Sequence, residues 1–106
     1  MKIYRQGDVM LIQVDEAERG AKIAREDGRV VLAHGELTGH AHAIASKDAT
    51  LYEAATALAL GTRILTTRRA VKLVHEEHAT IRVPVGTWLV RIQREYSPEA
   101  LRNVAD

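Results

Sequence analysis

Hydrophobic positions along the chain fall into short runs separated by turn residues, and alternation dominates over helical spacing. Residues 8–14, DVMLIQV, are rich in long aliphatic side chains and predict a buried strand. Tyr4, Arg5, Gln6 and Asp8 read as a turn leading into it. Residues 15–28 are charged, carry Gly20 and Gly28, and predict a long exposed loop. Residues 29–34 (RVVLAH) and 40–46 (HAHAIAS) predict a second and a third strand. Residues 62–67 and 70–75 predict two more, joined by a turn at Arg68–Arg69, and 79–83 another. PVGT then gives a turn, with Pro84 and Gly86 at the second and fourth positions of a type I geometry. In the last run, 88–96, Trp88, Val90 and Ile92 alternate with Leu89, Arg91 and Gln93, so one face is apolar.

Residues 50–61 are the ambiguous stretch. Thr50 with Glu53 forms a capping box, Leu51, Ala55 and Leu58 share a helical face, and Gly61 would stop a helix. The same residues suit a continuation of the sheet, and a short helical turn over 54–60 is favoured over a full helix. Ser97–Pro98–Glu99 predicts the start of a second short helix. About eight short strands with turn signals between them predict an all-β fold, a small antiparallel barrel or two-sheet sandwich. Too few helical crossovers exist for a parallel α/β fold. No linker, repeat or low-complexity run divides residues 1–106, so one domain is expected.

Composition narrows this picture. With one Trp, three Tyr and no Phe, the core must be aliphatic. No cysteine is present, so disulfides and thiolate metal sites are excluded. A net charge of +1 lacks the basic excess of a nucleic-acid binder. A local patch of Arg63, Arg68, Arg69, Lys72 and Arg82 reads as solvated strand faces first. No run approaches the ~18 apolar residues of a membrane span, and the N-terminus lacks a signal-peptide core; a cytoplasmic location is expected.

The candidate chemistry lies in the histidines. All five fall in two windows, HGELTGHAH (34–42) and HEEH (75–78). A hairpin whose loop is GELTG sets His34 opposite His40, Leu32 opposite His42 and Val30 opposite Ile44. Side chains alternate along a strand, so His34, His40 and His42 are then expected on one face. Opposed Cβ atoms lie ~4.5–5.5 Å apart, near enough for imidazoles to converge on one ion. Ala41, Ala43 and Ala45 would occupy the opposite face and suit close packing. His75 shares a face with Val71 and Leu73. A bend at Glu76–Glu77 would bring His78 to the same side, so that His75, His78 or both complete the site. Glu36, Glu76 and Glu77 are candidates for a carboxylate ligand or a general base. The bland alternative is a set of histidines hydrogen-bonded to Glu36, Thr38, Glu76 and Glu77. HEEH is one residue short of the zinc-peptidase H-E-x-x-H helix, and HAHAI has Ile44 where a histidine-triad hydrolase needs a third histidine.

YRQGDV, HGELTGHAH, HEEHATIRVPVGTW and QREYSPEALRNVAD together resemble a family of small uncharacterised bacterial and phage-type proteins. The likeness covers most of the chain apart from 15–28 and 47–62. It implies no activity. It implies that RQGDV and QREY belong with the histidine motifs as a set. A looser resemblance is to cupins, whose H-x-H pair and P-x-G turn are matched by His40, His42 and VPVGTW; it implies a jelly-roll-like barrel. Here the Gly-to-His spacing is one residue short, no Glu follows His42 at the cupin distance, and the later histidines precede the P-x-G turn.

The leading expectation is a small metal-binding all-β protein. His34, His40, His42, His75 and His78 are the candidate ligands for a divalent Zn, Ni, Fe, Mn or Cu ion held by N and O donors. An open coordination position would support metal-assisted hydrolysis or small-ligand binding; a filled one would make the ion structural. The alternative is a non-catalytic homo-oligomeric binding or assembly module, favoured by the alanine face and open strand edges. A nucleic-acid accessory role for the Arg68–Arg69 turn ranks below both.

Overall fold

The computed structural model describes residues 2–35, 37–55 and 62–93. These residues form ten strands and no helix: β1 (Ile3–Gln6), β2 (Val9–Val14), β3 (Arg19–Lys22), β4 (Val30–His34), β5 (Ala41–Ile44), β6 (Ala49–Ala54), β7 (Arg63–Thr67), β8 (Val71–Leu73), β9 (Ile81–Val83) and β10 (Gly86–Ile92). Six of them make an antiparallel sheet in the order β1-β2-β10-β7-β6-β3, while β4–β5 and β8–β9 form two hairpins. The hairpins are joined by one bridge. Ala43 N–H donates to Val74 O at 3.0 Å and Val74 N–H to Ala43 O at 2.9 Å. Side by side they make a second layer, β4-β5-β8-β9, and the fold is an all-β two-sheet sandwich.

The core lies between the layers and is aliphatic, as the shortage of aromatics requires. Leu11, Leu51, Leu65 and Val90 of the large sheet meet Val30, Ile44, Leu73 and Val83 of the small one. Trp88 is fully buried among them, edge-on to Tyr4 with ring centroids 5.4 Å apart. Its Nε1–H points to Thr67 Oγ1 at 3.4 Å, and that hydroxyl donates to Pro84 O at 2.7 Å. The indole therefore fills the core without orphaning its polar atom. Val31, Ala41 and Ala43 form a smaller buried cluster on the other side of β4–β5, whereas Ala45 is exposed.

Three expectations need correction. The capping box at Thr50–Glu53 does not start a helix, because Ala49–Ala54 is strand β6, paired with β7 from Ala49↔Thr67 to Glu53↔Arg63. Pairing along a whole strand outweighs a local cap that satisfies one or two amides. The remainder of the 54–60 turn and the helix at 97–99 fall on residues outside those described, apart from Ala54 and Ala55. Residues 15–28 are not all loop. Arg19–Lys22 adds strand β3 to the sheet edge, with every side chain exposed, so no apolar alternation marks it. Arg25 pins the rest of that segment, donating to Gly28 O, Ser46 O and Ala49 O at 2.7–2.9 Å. Finally, Tyr4–Gln6 is not merely the lead-in to a strand. It belongs to β1, which folds back on β2 through Gly7 and Asp8.

Candidate metal centre

The β5–β8 seam builds the site by register. Ala43 and Val74 exchange two hydrogen bonds, so in an antiparallel ladder the next residues along, His42 and His75, oppose each other as a non-hydrogen-bonded pair. Such pairs bring side chains closest. The two rings indeed lie 4.3 Å apart between centroids. One step further, Ala41 N–H would reach the backbone of residue 76. The chain bends there instead, and the Glu76 carboxylate takes the place of the carbonyl, accepting from Ala41 N–H at 2.8 Å. His40 comes next, with its Nδ1 3.9 Å from Glu77 Oε1.

The bend at Glu76–Glu77 turns His78 back toward His75, with ring centroids 4.7 Å apart. Glu77 N–H donates to His75 Nδ1 at 3.0 Å and holds the bend. The ring proton of neutral His75 therefore sits on Nε2. His40, His42, His75 and His78 thus occupy one patch where the two layers meet.

His34 does not join them. The β4–β5 register starts as expected at Val30↔Ile44, but slips between Val31 and Ala33, so that His34 pairs with Ala41 and not His40. One extra residue on a bulged strand moves every later side chain to the other face. Ala33 turns in against the core, and His34 turns out to an exposed contact with Glu26 at 3.1 Å. Glu36 lies outside the described residues.

The donor atoms of His40, His75 and Glu76 all lie within 4.8 Å of one another, the one such group of three among the described residues. Ligands around a tetrahedral ion at ~2.0–2.1 Å are roughly 3.3 Å apart, so an ion would have to draw the group together, and on His75 it would either displace the Glu77 N–H from Nδ1 or bind Nε2 with the ring proton moved to Nδ1. His75 is 8% exposed and fixed by packing, whereas His40 is half-buried and Glu76 exposed. The Ala41 N–H, the amide of Glu76 itself and the neighbouring His40 and His75 hold the Glu76 carboxyl below the ordinary range against the opposing effect of burial.

The β1–β2 turn supplies a part of the site that sequence reasoning did not single out from the residues. Gln6 is 3% exposed and donates through Nε2 to Leu73 O at 2.9 Å and Ala79 O at 3.0 Å. Both partners are acceptors, so the amide orientation is fixed, and Oε1 faces His42 Nδ1 at 2.8 Å. His42 must donate there, which leaves its Nε2 lone pair directed at Asp8 Oδ1, 3.4 Å away. Burial, then the charges of His75 and His78, push the His42 imidazole below its ordinary pKa despite the raising effect of Asp8. Gly7, at φ +58°, leaves room for His78: a Cβ there would stand 2.6 Å from its Nε2. By itself a Gln followed by Gly and Asp looks like an ordinary turn; the fold sets it against His42 and His78.

No helix among the described residues is long and apolar enough to cross a membrane. No curated protein and no solved structure gives a significant match to the chain. Residues 5–93 match the family described as Domain of unknown function (DUF8820), and the chain belongs to that family.

Proposed function

We propose that this domain binds a divalent transition-metal ion through His40, His75 and Glu76. The observation that carries the reading is the convergence of two imidazoles and one carboxylate to within 4.8 Å. The donor set is N/O only, which suits Zn, Ni, Fe(II), Mn or Cu. Two histidines and a glutamate are the ligand types that zinc hydrolases use, and they leave a coordination position for water or a small ligand. An ion bound there would supply a water of lowered pKa, and Glu77, whose Oε1 is 3.9 Å from His40 Nδ1, would be the nearby carboxylate to accept the proton. Of the two roles expected for Glu76, carboxylate ligand or general base, this reading uses the first.

Elemental analysis and calorimetric titration of the purified protein with Zn²⁺ test the reading. Near-stoichiometric metal is expected after expression in supplemented medium. His40→Ala should weaken binding at the triad by more than tenfold. Glu76→Gln should also weaken it while keeping an acceptor for Ala41 N–H. No stoichiometric metal, together with no rise in Tm on adding Zn²⁺ or Ni²⁺, would sink the claim.

A further inference from the structure

We propose that Gln6 is a positioning residue for the metal site: its amide sets the shape of the bend that presents His75 and Glu76. Gln6 stands on β1, remote in sequence from both ligands. Its Nε2 donates to Leu73 O at 2.9 Å and to Ala79 O at 3.0 Å. Leu73 ends β8 and Ala79 lies two residues before β9, so one nitrogen ties the two ends of the bend together. Two carbonyls that share a donor are held within twice a hydrogen-bond length of each other, and this fixes the width of the bend at its base. Gln6 is 3% exposed, so water has little access to these bonds.

The bend has few other supports. Among the described residues, no main-chain group of 75–80 is paired with another main-chain group. The remaining ties are Glu77 N–H to His75 Nδ1 at 3.0 Å and Ala41 N–H to the Glu76 carboxylate at 2.8 Å. Both end on the ligand side chains, which an ion would draw on. Gln6 is neither ligand, so its grip persists when an ion is bound. The same amide also supports His75 through a neighbour. Oε1 accepts from His42 Nδ1 at 2.8 Å, and the His42 ring lies 4.3 Å from the His75 ring. A bend already in its bound shape loses less freedom when an ion enters. Groups that orient ligands without touching the ion commonly carry about 10–100-fold in metal affinity. Gln6 acts through the main chain, and its loss is expected near the lower end of that range.

The inference rests on the metal reading of His40, His75 and Glu76, and a readout without metal separates the two. Gln6→Met removes all three bonds of the amide at nearly constant volume. Leu51→Ala, in the core on β6, is the control that destabilises from outside the bend. Both are made in the full chain and measured where Trp88 fluorescence shows them folded. Without metal, amide exchange at Ala41 and Glu77 should quicken in Gln6→Met beyond any change in Leu51→Ala. Calorimetric titration with Zn²⁺ should give about tenfold weaker binding in Gln6→Met and wild-type affinity in Leu51→Ala. Gln6→Asn, which keeps an amide but shortens its reach, is read in the same way should Gln6→Met fail to fold. With a wild type that binds Zn²⁺, unchanged exchange, unchanged affinity, or an equal change in Leu51→Ala overturns the positioning role while the triad stands. A wild type that binds no Zn²⁺ overturns the triad and the role of Gln6 in metal binding with it, and the exchange result alone then decides whether Gln6 shapes the bend.

Discussion

Gln6 Oε1 lies 2.8 Å from His42 Nδ1, so a side chain on the first strand decides which nitrogen of a histidine 36 residues away carries the proton. Two buried hydrogen bonds and one part-buried one meet at this amide. Gln6→Leu leaves Leu73 O, Ala79 O and the His42 N–H without that partner. An unsatisfied buried polar group is costly, and a loss on the order of 2–3 kcal/mol is expected in urea unfolding. Gln6→Glu keeps the acceptor for His42 but turns a carboxylate oxygen onto Leu73 O and Ala79 O in a buried site, and should cost at least as much as leucine.

Gly7→Ala meets two obstacles. An L-residue in the left-handed region costs roughly 1–2 kcal/mol, and the new Cβ would press on His78 Nε2 at 2.6 Å. The His78 ring should move, giving a large shift of its NMR signals. In the Gly7→Ala/His78→Ala double variant the steric part should vanish and the backbone part persist. Strict additivity of the two substitutions would contradict the contact.

Acid should destabilise the fold in two stages. His42 is held below its ordinary 6.5 by burial and neighbouring imidazoles. Glu76 is held below 4.5, chiefly by the Ala41 N–H. In each case the unfolded chain binds protons more readily, so stability rises with pH across that window. The contribution of His42 is complete above about 6.5 and is lost as pH falls below it; that of Glu76 begins to go below about 4.5. The urea midpoint should therefore drop between pH 7 and pH 5, and the His42 ring signals should titrate below those of a free histidine. A midpoint that is flat over this range would contradict the assignment.

Trp88→Ala should cost about 3–5 kcal/mol, as expected for emptying a buried indole site. Trp88→Phe should cost less, since the ring contact with Tyr4 is partly kept and only the Nε1–H to Thr67 is lost. As the sole tryptophan and a fully buried one, it should emit at short wavelength and red-shift once on unfolding.

The strands with alternating or continuous apolar residues were legible, because burial on a sheet face leaves that signature. Val9–Val14, Arg63–Thr67 and Gly86–Ile92 follow it. Arg19–Lys22 was not, because an exposed edge strand held by backbone pairing and one contact of Arg19 over the Tyr52 ring carries no apolar alternation. In the site, the face shared by His40 and His42 follows from alternation, and so does the inward direction of His75 beside Leu73. The fate of His34 does not. A bulge near Leu32 is a backbone event with no polar or glycine marker in RVVLAH, and it reversed the one residue beyond it that mattered. The partnership of His42 with His75 depends on which hairpins lie side by side, and no short stretch of sequence encodes that neighbourhood.

Among the described residues, the Ala43–Val74 bridge is the entire backbone ladder joining the two hairpins, one residue pair wide. An ion grasped by His40 and His75 would act as a removable staple across it, fastening positions 35 residues apart in the chain. Amide exchange at Ala43 and Val74 would slow when the staple is in and quicken when a chelator draws it out. The large sheet would scarcely register the difference. Metal supply would then set how long the smaller layer stays zipped, and the domain would carry a stiffness that its surroundings can turn up or down.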